Sequence, residues 1–175
     1  MSLINLKIMD NTNKAFAVQN KLERTRHFMG GYWTFLLNGS ETNGQFALME
    51  VNLRRGLEPP AHTHTNEDET FHVLEGEITV TADNVEHHLK AGELIHLPRG
   101  VVHSFKVQTE KVKMLAHVAP AGLEEMFIAM STPADQLDYP SAPVGPPPPE
   151  VLQRIGALQE QYGIIGMQNK DIKTV

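Results

Sequence analysis

The sequence predicts an all-β fold, a sandwich or a closed barrel, with a short helical extension after it. Two observations carry that prediction. Between Tyr32 and Val118 the apolar residues come in short runs rich in Val, Ile, Phe and Leu, each broken by Gly, Pro or Asn. No helical periodicity runs through the same stretch. At 175 residues, 41% hydrophobic and 21% charged, the chain suits one domain, or one domain plus an extension. A domain of that size buries roughly 70% of the surface its unfolded chain exposes, enough for a full core.

The strands follow in order. Tyr32 to Leu37 is dense in strand formers and stops at Asn38-Gly39-Ser40. Phe46 to Leu53 is the next candidate, closed by Arg54-Arg55-Gly56 and Pro59-Pro60. Phe71 to Leu74 turns at Glu75-Gly76 and returns as Glu77 to Thr81. Leu94 to Leu97 ends at Pro98 and Gly100, and Val101–Val107 and Val112–Val118 supply two more strands. Further on, Leu123, Met126, Phe127 and Met130 share one face of a short helix. Asp135 to Pro149 reads as loop, with Pro146–Pro149 stiff and extended. Val151, Leu152, Ile155, Leu158 and Tyr162 then recur at helical spacing, with prolines before them and Gly163 as a natural stop. This amphipathic helix is expected to pack on the barrel or on a partner subunit. Gln168–Val175 is expected to be loose. The division expected is residues 1–30 as a segment packing on the barrel, 31–120 as the barrel, and 121–175 as an extension.

Charge and composition remove several functions. A formal net charge of −6 and no basic stripe argue against a nucleic-acid partner. With no cysteine, disulfide scaffolds, zinc fingers, iron–sulfur clusters and thiol nucleophiles are excluded together. No stretch approaches the roughly 18 apolar residues needed to span a bilayer. Met1–Phe16 has no apolar core or cleavage site of a signal peptide, so a cytoplasmic location is expected.

Two stretches carry chemistry. His62 and His64 lie two apart, so on a strand they point the same way. Glu69 follows after the polar corner Thr65-Asn66-Glu67-Asp68, and Glu69, Phe71 and Val73 alternate onto one face. The second stretch runs from Gly92 through Pro98 and Gly100 to His103, with Phe105 on the face of His103. If that strand lies beside the first pair, His103 completes three histidines and one carboxylate. Such a set suits iron, manganese, nickel, copper or zinc rather than calcium or magnesium. Four ligands leave positions open on an octahedral metal, as catalysis requires. Glu69 is then either a ligand only or also the base that takes a proton from a substrate hydroxyl.

The spacing Gly56–His62-x-His64–Glu69–Gly76 resembles the first cupin motif at every fixed position. Gly92–Pro98-x-Gly100–His103 resembles the second. At average usage of about 5% per position, nine such matches arise by chance with a probability on the order of 10⁻¹² at one start. The second motif commonly ends in Asn where this chain has Val107. The resemblance implies a double-stranded β-helix, the jelly-roll cupin barrel, and one divalent transition metal per chain. Iron, manganese or nickel is favoured there, with zinc or copper as alternatives. Thr42–Glu50, Pro59–His64, Glu67–Gly76, Ala119–Phe127 and the helix ending at Tyr162-Gly163 resemble single-domain quercetin dioxygenase-like cupins. That likeness implies a small enolisable or phenolic substrate, dioxygen as co-substrate, and a homodimer.

The remaining candidates have plainer readings. Phe105, Phe46 and Phe71 are candidates for the pocket wall, with Phe105 first. Phe28, Tyr32, Trp33 and Met49 are more in keeping with core packing. His72 should point away from the metal, His96 should pack on the sheet, and His27, His87 and His88 should be solvated. His117 is a candidate neighbour of the ligands. Glu67 and Asp68 are expected to form a solvated corner. Three functions compete: a metal-dependent dioxygenase, a metal-dependent isomerase or lyase without oxygen chemistry, and a non-enzymatic small-molecule-binding protein.

Overall fold

Alternation of apolar and polar side chains builds two antiparallel sheets around one core. The computed structural model describes residues 15–141, 145 and 148–166. After a single helical turn at Leu22–Arg24, the strands are β1 (Thr25–Phe28), β2 (Gly31–Leu37), β3 (Ala47–Arg54), β4 (His62–His64), β5 (Asp68–Glu75) and β6 (Glu77–Ala82). β7 (Val85–Lys90), β8 (Leu94–Leu97), β9 (His103–Val107) and β10 (Lys111–Ala119) complete the barrel region. Helix α1 (Leu123–Met130), β11 (Thr132–Pro133), α2 (Pro149–Gln161) and β12 (Ile164–Gly166) follow.

One sheet has seven strands in the order β11-β1-β2-β3-β10-β5-β8, and the other five in the order β12-β4-β9-β6-β7. Met49, Val51 and Leu53 of β3, Val73 of β5, Ile78 and Val80 of β6 and Met114 and Val118 of β10 fill the space between the sheets. This is the expected all-β jelly roll with short helices.

Turn chemistry sets the register. Gly76 joins β5 to β6 at φ +84°, and a Cβ there would lie 2.5 Å from the Lys111 carbonyl oxygen, so only glycine fits. Asp83 and Asn84 both take positive φ and form the two-residue turn that pairs Ala82 with Val85. β7 itself went unpredicted. It is an edge strand whose residues are exposed except Leu89, which is half-buried, so it shows no alternation of apolar and polar residues.

Other boundaries moved for local reasons. β9 starts at His103 rather than Val101, because the Val101 N–H closes a turn on the Pro98 carbonyl at 3.2 Å. α1 spans the predicted residues and buries Leu123 and Met126. Pro149 is the first residue of α2 rather than the end of an extended run, as suits a residue without an N–H. Pro148 is extended, while Pro146, Pro147 and Gln168–Val175 lie outside the described residues. α2 ends before Gly163, whose φ is +71°. Leu158 and Tyr162 pack against the core, but Val151 and Leu152 stay 41% and 53% exposed. Among the described residues no helix is long and apolar enough to cross a membrane.

Candidate metal centre

The two sheets each deliver part of one cluster. β4 carries His62 and His64 on the same face, and His62 is directly opposite His103 of β9. These three imidazoles come from the five-stranded sheet. Glu69 comes from the other sheet, on β5, between Val118 of β10 and Leu97 of β8. One ligand atom from each of the four residues lies within 4.8 Å of the others. The imidazole centroids are 4.5 Å apart for His62 and His103, 5.0 Å for His62 and His64, and 5.2 Å for His64 and His103. His64, Glu69 and His103 are buried, and His62 is half-buried.

Backbone carbonyls orient two of the rings. His62 Nδ1 lies 2.9 Å from the Pro60 oxygen, and His103 Nδ1 lies 3.0 Å from the Val101 oxygen. A proton held at each Nδ1 leaves the Nε2 lone pair for a cation. Glu69 Oε2 and His103 Nε2 approach to 3.3 Å, yet neither atom makes a hydrogen bond of good geometry and both are buried. Unpartnered buried polar atoms are costly, and a divalent cation between them would satisfy both. The donor set of three nitrogens and one carboxylate fits a transition metal.

Protonation also favours a cation. Burial pushes His64 down to about 4 and lowers His62, with the His103 ring adding to the effect there. Both are therefore neutral and able to coordinate at physiological pH. Burial alone would raise Glu69, but the His103, His64 and His62 rings outweigh it and hold the carboxyl below its usual range. Burial opposes a proton on His103, yet Glu69 beside it raises that histidine overall.

Phe71 shares the face of Glu69, and Phe105 shares that of His103. Their rings meet at 5.4 Å in an edge-on contact beside the cluster. Phe46 does not join them. Its ring lies 5.1 Å from His117, and His117 pairs with Thr70 on the outward-facing rows of β10 and β5. Phe46 is thus corrected from pocket wall to outer surface, and His117 from candidate neighbour of the ligands to its stacking partner. Trp33 packs against Phe28 and Phe127 in an aromatic cluster. A cleft of about 310 Å³ lies around Thr79, His88 and Gln108, and none of the four ligands lines it.

His72 points away from the cluster on the outward row of β5. His96 is on the outer side, 3.0 Å from the Thr70 hydroxyl. His87 and His88 are exposed as expected, although they sit in β7 rather than in turns. His27 is a correction: it is half-buried in β1, with an unpartnered Nε2.

The polar corner is half right. Asp68 is a surface residue whose Oδ1 accepts from the Arg99 backbone N–H at 3.0 Å and from Arg99 Nε at 2.9 Å. Those bonds pull it down to about 2. Glu67 is instead buried, with Oε2 unpartnered. Burial first, and then the Glu124 and Glu69 carboxylates, push it up to about 7 against the pull of Arg99. Its parity with Glu69 and Phe71 was the available signal. Glu124 was also missed. It is 1% exposed, and its carboxylate accepts from the Gly39 N–H at 2.8 Å and the Gly122 N–H at 2.6 Å.

Two antiparallel sheets closed on a buried cluster of three histidines and one glutamate define a small jelly-roll barrel with a candidate metal centre. Residues 49–118 match the Cupin domain family. The chain is 31% identical over 117 residues to quercetin 2,3-dioxygenase of Bacillus subtilis (strain 168), a match over 67% of this chain and 35% of that protein. It thus spans about a third of the length of that relative. Among solved structures it resembles an RmlC-like cupin from Shewanella frigidimarina, with a TM-score of 0.54 and 20% identity over 64% of this chain and 96% of that one. It also resembles a predicted oxalate decarboxylase from Thermotoga maritima, with a TM-score of 0.53 and 21% identity over 59% and 98% of the two chains. The chain is a member of the cupin superfamily.

Proposed function

We propose that the protein is a quercetin dioxygenase-like cupin, a metal-dependent dioxygenase of a small enolisable or phenolic substrate. The carrying observation is the four-ligand cluster, with three ligands buried and His62 half-buried, in a chain 31% identical over 117 residues to a quercetin 2,3-dioxygenase. The chemistry that a redox-active divalent metal supplies there is Lewis-acid binding of a substrate oxygen and electron exchange with dioxygen. Iron, manganese or nickel fits that role. His62 and His64 would hold the ion as the neutral imidazoles that burial makes them, and His103, whose proton Glu69 favours, would release it to the cation. Phe71 and Phe105 exclude water and offer apolar surface to a ring. Glu69 Oε2 is free of hydrogen bonds within the protein, so the carboxylate would hold the ion at rest. Once detached from it, the carboxylate would accept the proton of the substrate hydroxyl, leaving the electron-rich substrate anion that reacts with dioxygen.

Val151 and Leu152, left exposed on α2, support pairing of two chains, which sedimentation would show as a dimer. The activity is tested by dioxygen uptake of the iron-, manganese- and nickel-loaded protein with flavonols and other enolisable phenols. Uptake with at least one metal, lost in Glu69→Ala and His62→Ala, is the expected result. A fully loaded protein that consumes no dioxygen would contradict the proposal and leave isomerase, lyase or binding chemistry at the same site.

A further inference from the structure

We propose that β12 is a positioning element of the metal centre, so that metal binding and docking of β12 strengthen each other. The inference rests on the reading of His62, His64, Glu69 and His103 as metal ligands. It starts from how weakly β4 is otherwise held. β4 has three residues and carries two of the four ligands. Toward β9 its register consists of one pair, His62 with His103, and the Gly100 N–H before β9 adds one bond to the His64 oxygen at 2.8 Å. Toward β12 it is paired along its whole length: Ile164 with His64, Ile165 with Thr63, and Gly166 with His62.

The approach to that pairing is closely fitted. The Thr65 backbone N–H and hydroxyl both donate to the Gly163 oxygen, at 3.0 and 2.9 Å. Asn66 Nδ2 donates to the Tyr162 oxygen at 3.2 Å. Gly163 has φ +71°, and a Cβ on it would collide with the Thr65 hydroxyl. Ile164 is buried in the barrel core at 7% exposure, whereas Ile165 is 54% exposed. β12 thus caps the edge of β4 from outside while one side chain anchors it within. Removed from β12, β4 would become a three-residue edge strand, the kind of element that opens locally at low cost. Its opening would displace both imidazoles.

Coupling between two sites is reciprocal. If docked β12 favours the arrangement of His62 and His64 that binds metal, the metal must favour docked β12 by the same factor. Glu69 does not share this dependence, because β5 is paired on both sides by β10 and β8.

The test uses the full chain and Co²⁺ as probe, because its absorption spectrum reports coordination geometry. Amide hydrogen exchange is measured at residues 63–65 and 164–166 with and without the ion. Co²⁺ affinity is measured by chelator competition for the wild type, Thr65→Val, Gly163→Val and Thr65→Ser. Expected results are slower exchange at residues 164–166 on Co²⁺ binding and affinity about tenfold weaker in Thr65→Val and Gly163→Val, the scale on which outer partners of metal ligands act. An altered Co²⁺ spectrum in both and recovery in Thr65→Ser complete the expectation. One Co²⁺ per chain with unchanged exchange at residues 164–166 would overturn the linkage and leave the metal centre standing. So would variants that release β12 yet keep wild-type affinity. A wild-type chain that binds no Co²⁺ would overturn the metal-centre reading and this inference with it.

Discussion

β5 and β4 both present metal-ligating side chains, and they are built very differently. β5 has eight residues, alternates between buried and less buried positions from Asp68 to Leu74, and is flanked by strands on both sides. β4 has three residues, one register pair with β9, and a partner in β12 that lies about 100 residues further along the chain. One side of the cluster is therefore part of the core. The other is held by few contacts, most of them to a segment distant in sequence. The carboxylate should stay in place when the ion leaves, while the imidazoles of β4 should depend on what surrounds that strand.

Removing a ligand from either sheet is the severest test of the comparison. Glu69→Ala and His64→Ala should each weaken metal binding by more than the ~10–100-fold typical of groups behind the ligands. They should differ in local order. Without metal, amide exchange around β4 should exceed that around β5 in the wild type and in both variants. Equal protection of the two strands in every form would remove the distinction.

Glu58 sharpens the comparison at smaller amplitude. Its Oε1 accepts from the Val107 N–H at 2.7 Å and the Gly56 N–H at 3.1 Å. It thereby ties the loop before β4 to the far end of β9, four residues from His62 and four from His103. Pro60, whose carbonyl orients His62, lies in that loop. Glu58→Ala should weaken metal affinity about tenfold, with calorimetry or chelator competition as the measurement. Unchanged affinity would show that the Pro60 carbonyl is held without it. Val107 replaces the Asn common at the end of the second motif, so this contact also shows what its backbone does here.

Glu67 gives the smallest effect and a defined sign. Its carboxyl is raised to about 7 in the folded protein, above the usual 4.5 or so of an exposed glutamate. The folded state then binds the proton more tightly than the unfolded state, and stability falls as pH rises from about 4.5 through 7. Glu67→Gln removes that fall. In metal-free protein the variant should match the wild type near pH 4 and gain on the order of 1 kcal/mol above pH 7. Denaturant melts at the two pH values measure it, and a gain independent of pH would contradict the assignment.

Much of this architecture was legible because it depends on short-range pattern. The His62-x-His64 spacing, the parity of Glu69 with Phe71, and the turn glycine at position 76 each follow from strand geometry. α1 and α2 follow from helical spacing and flanking Pro and Gly. What escaped depends on partners distant in sequence or on exposure. β7 is exposed but for Leu89 and so carries no alternation. β12 is only Ile-Ile-Gly, and nothing nearby marks it as the partner of β4. Phe46 is apolar, but it precedes the first inward residue of β3 and turns outward to His117. Glu67 has a charge that favours solvent, but its parity with Glu69 turns it inward.

The central claim is that one ion is held jointly by the two sheets. X-ray absorption on protein loaded with a single equivalent of metal addresses it most directly. The expected spectrum has three imidazole nitrogens and a carboxylate oxygen at about 2.0–2.2 Å. The carboxylate contribution should be lost in Glu69→Ala, and one imidazole should be lost in His103→Ala. A bound ion with fewer than three imidazoles, or one whose spectrum is indifferent to these two substitutions, would place the metal elsewhere and contradict the account.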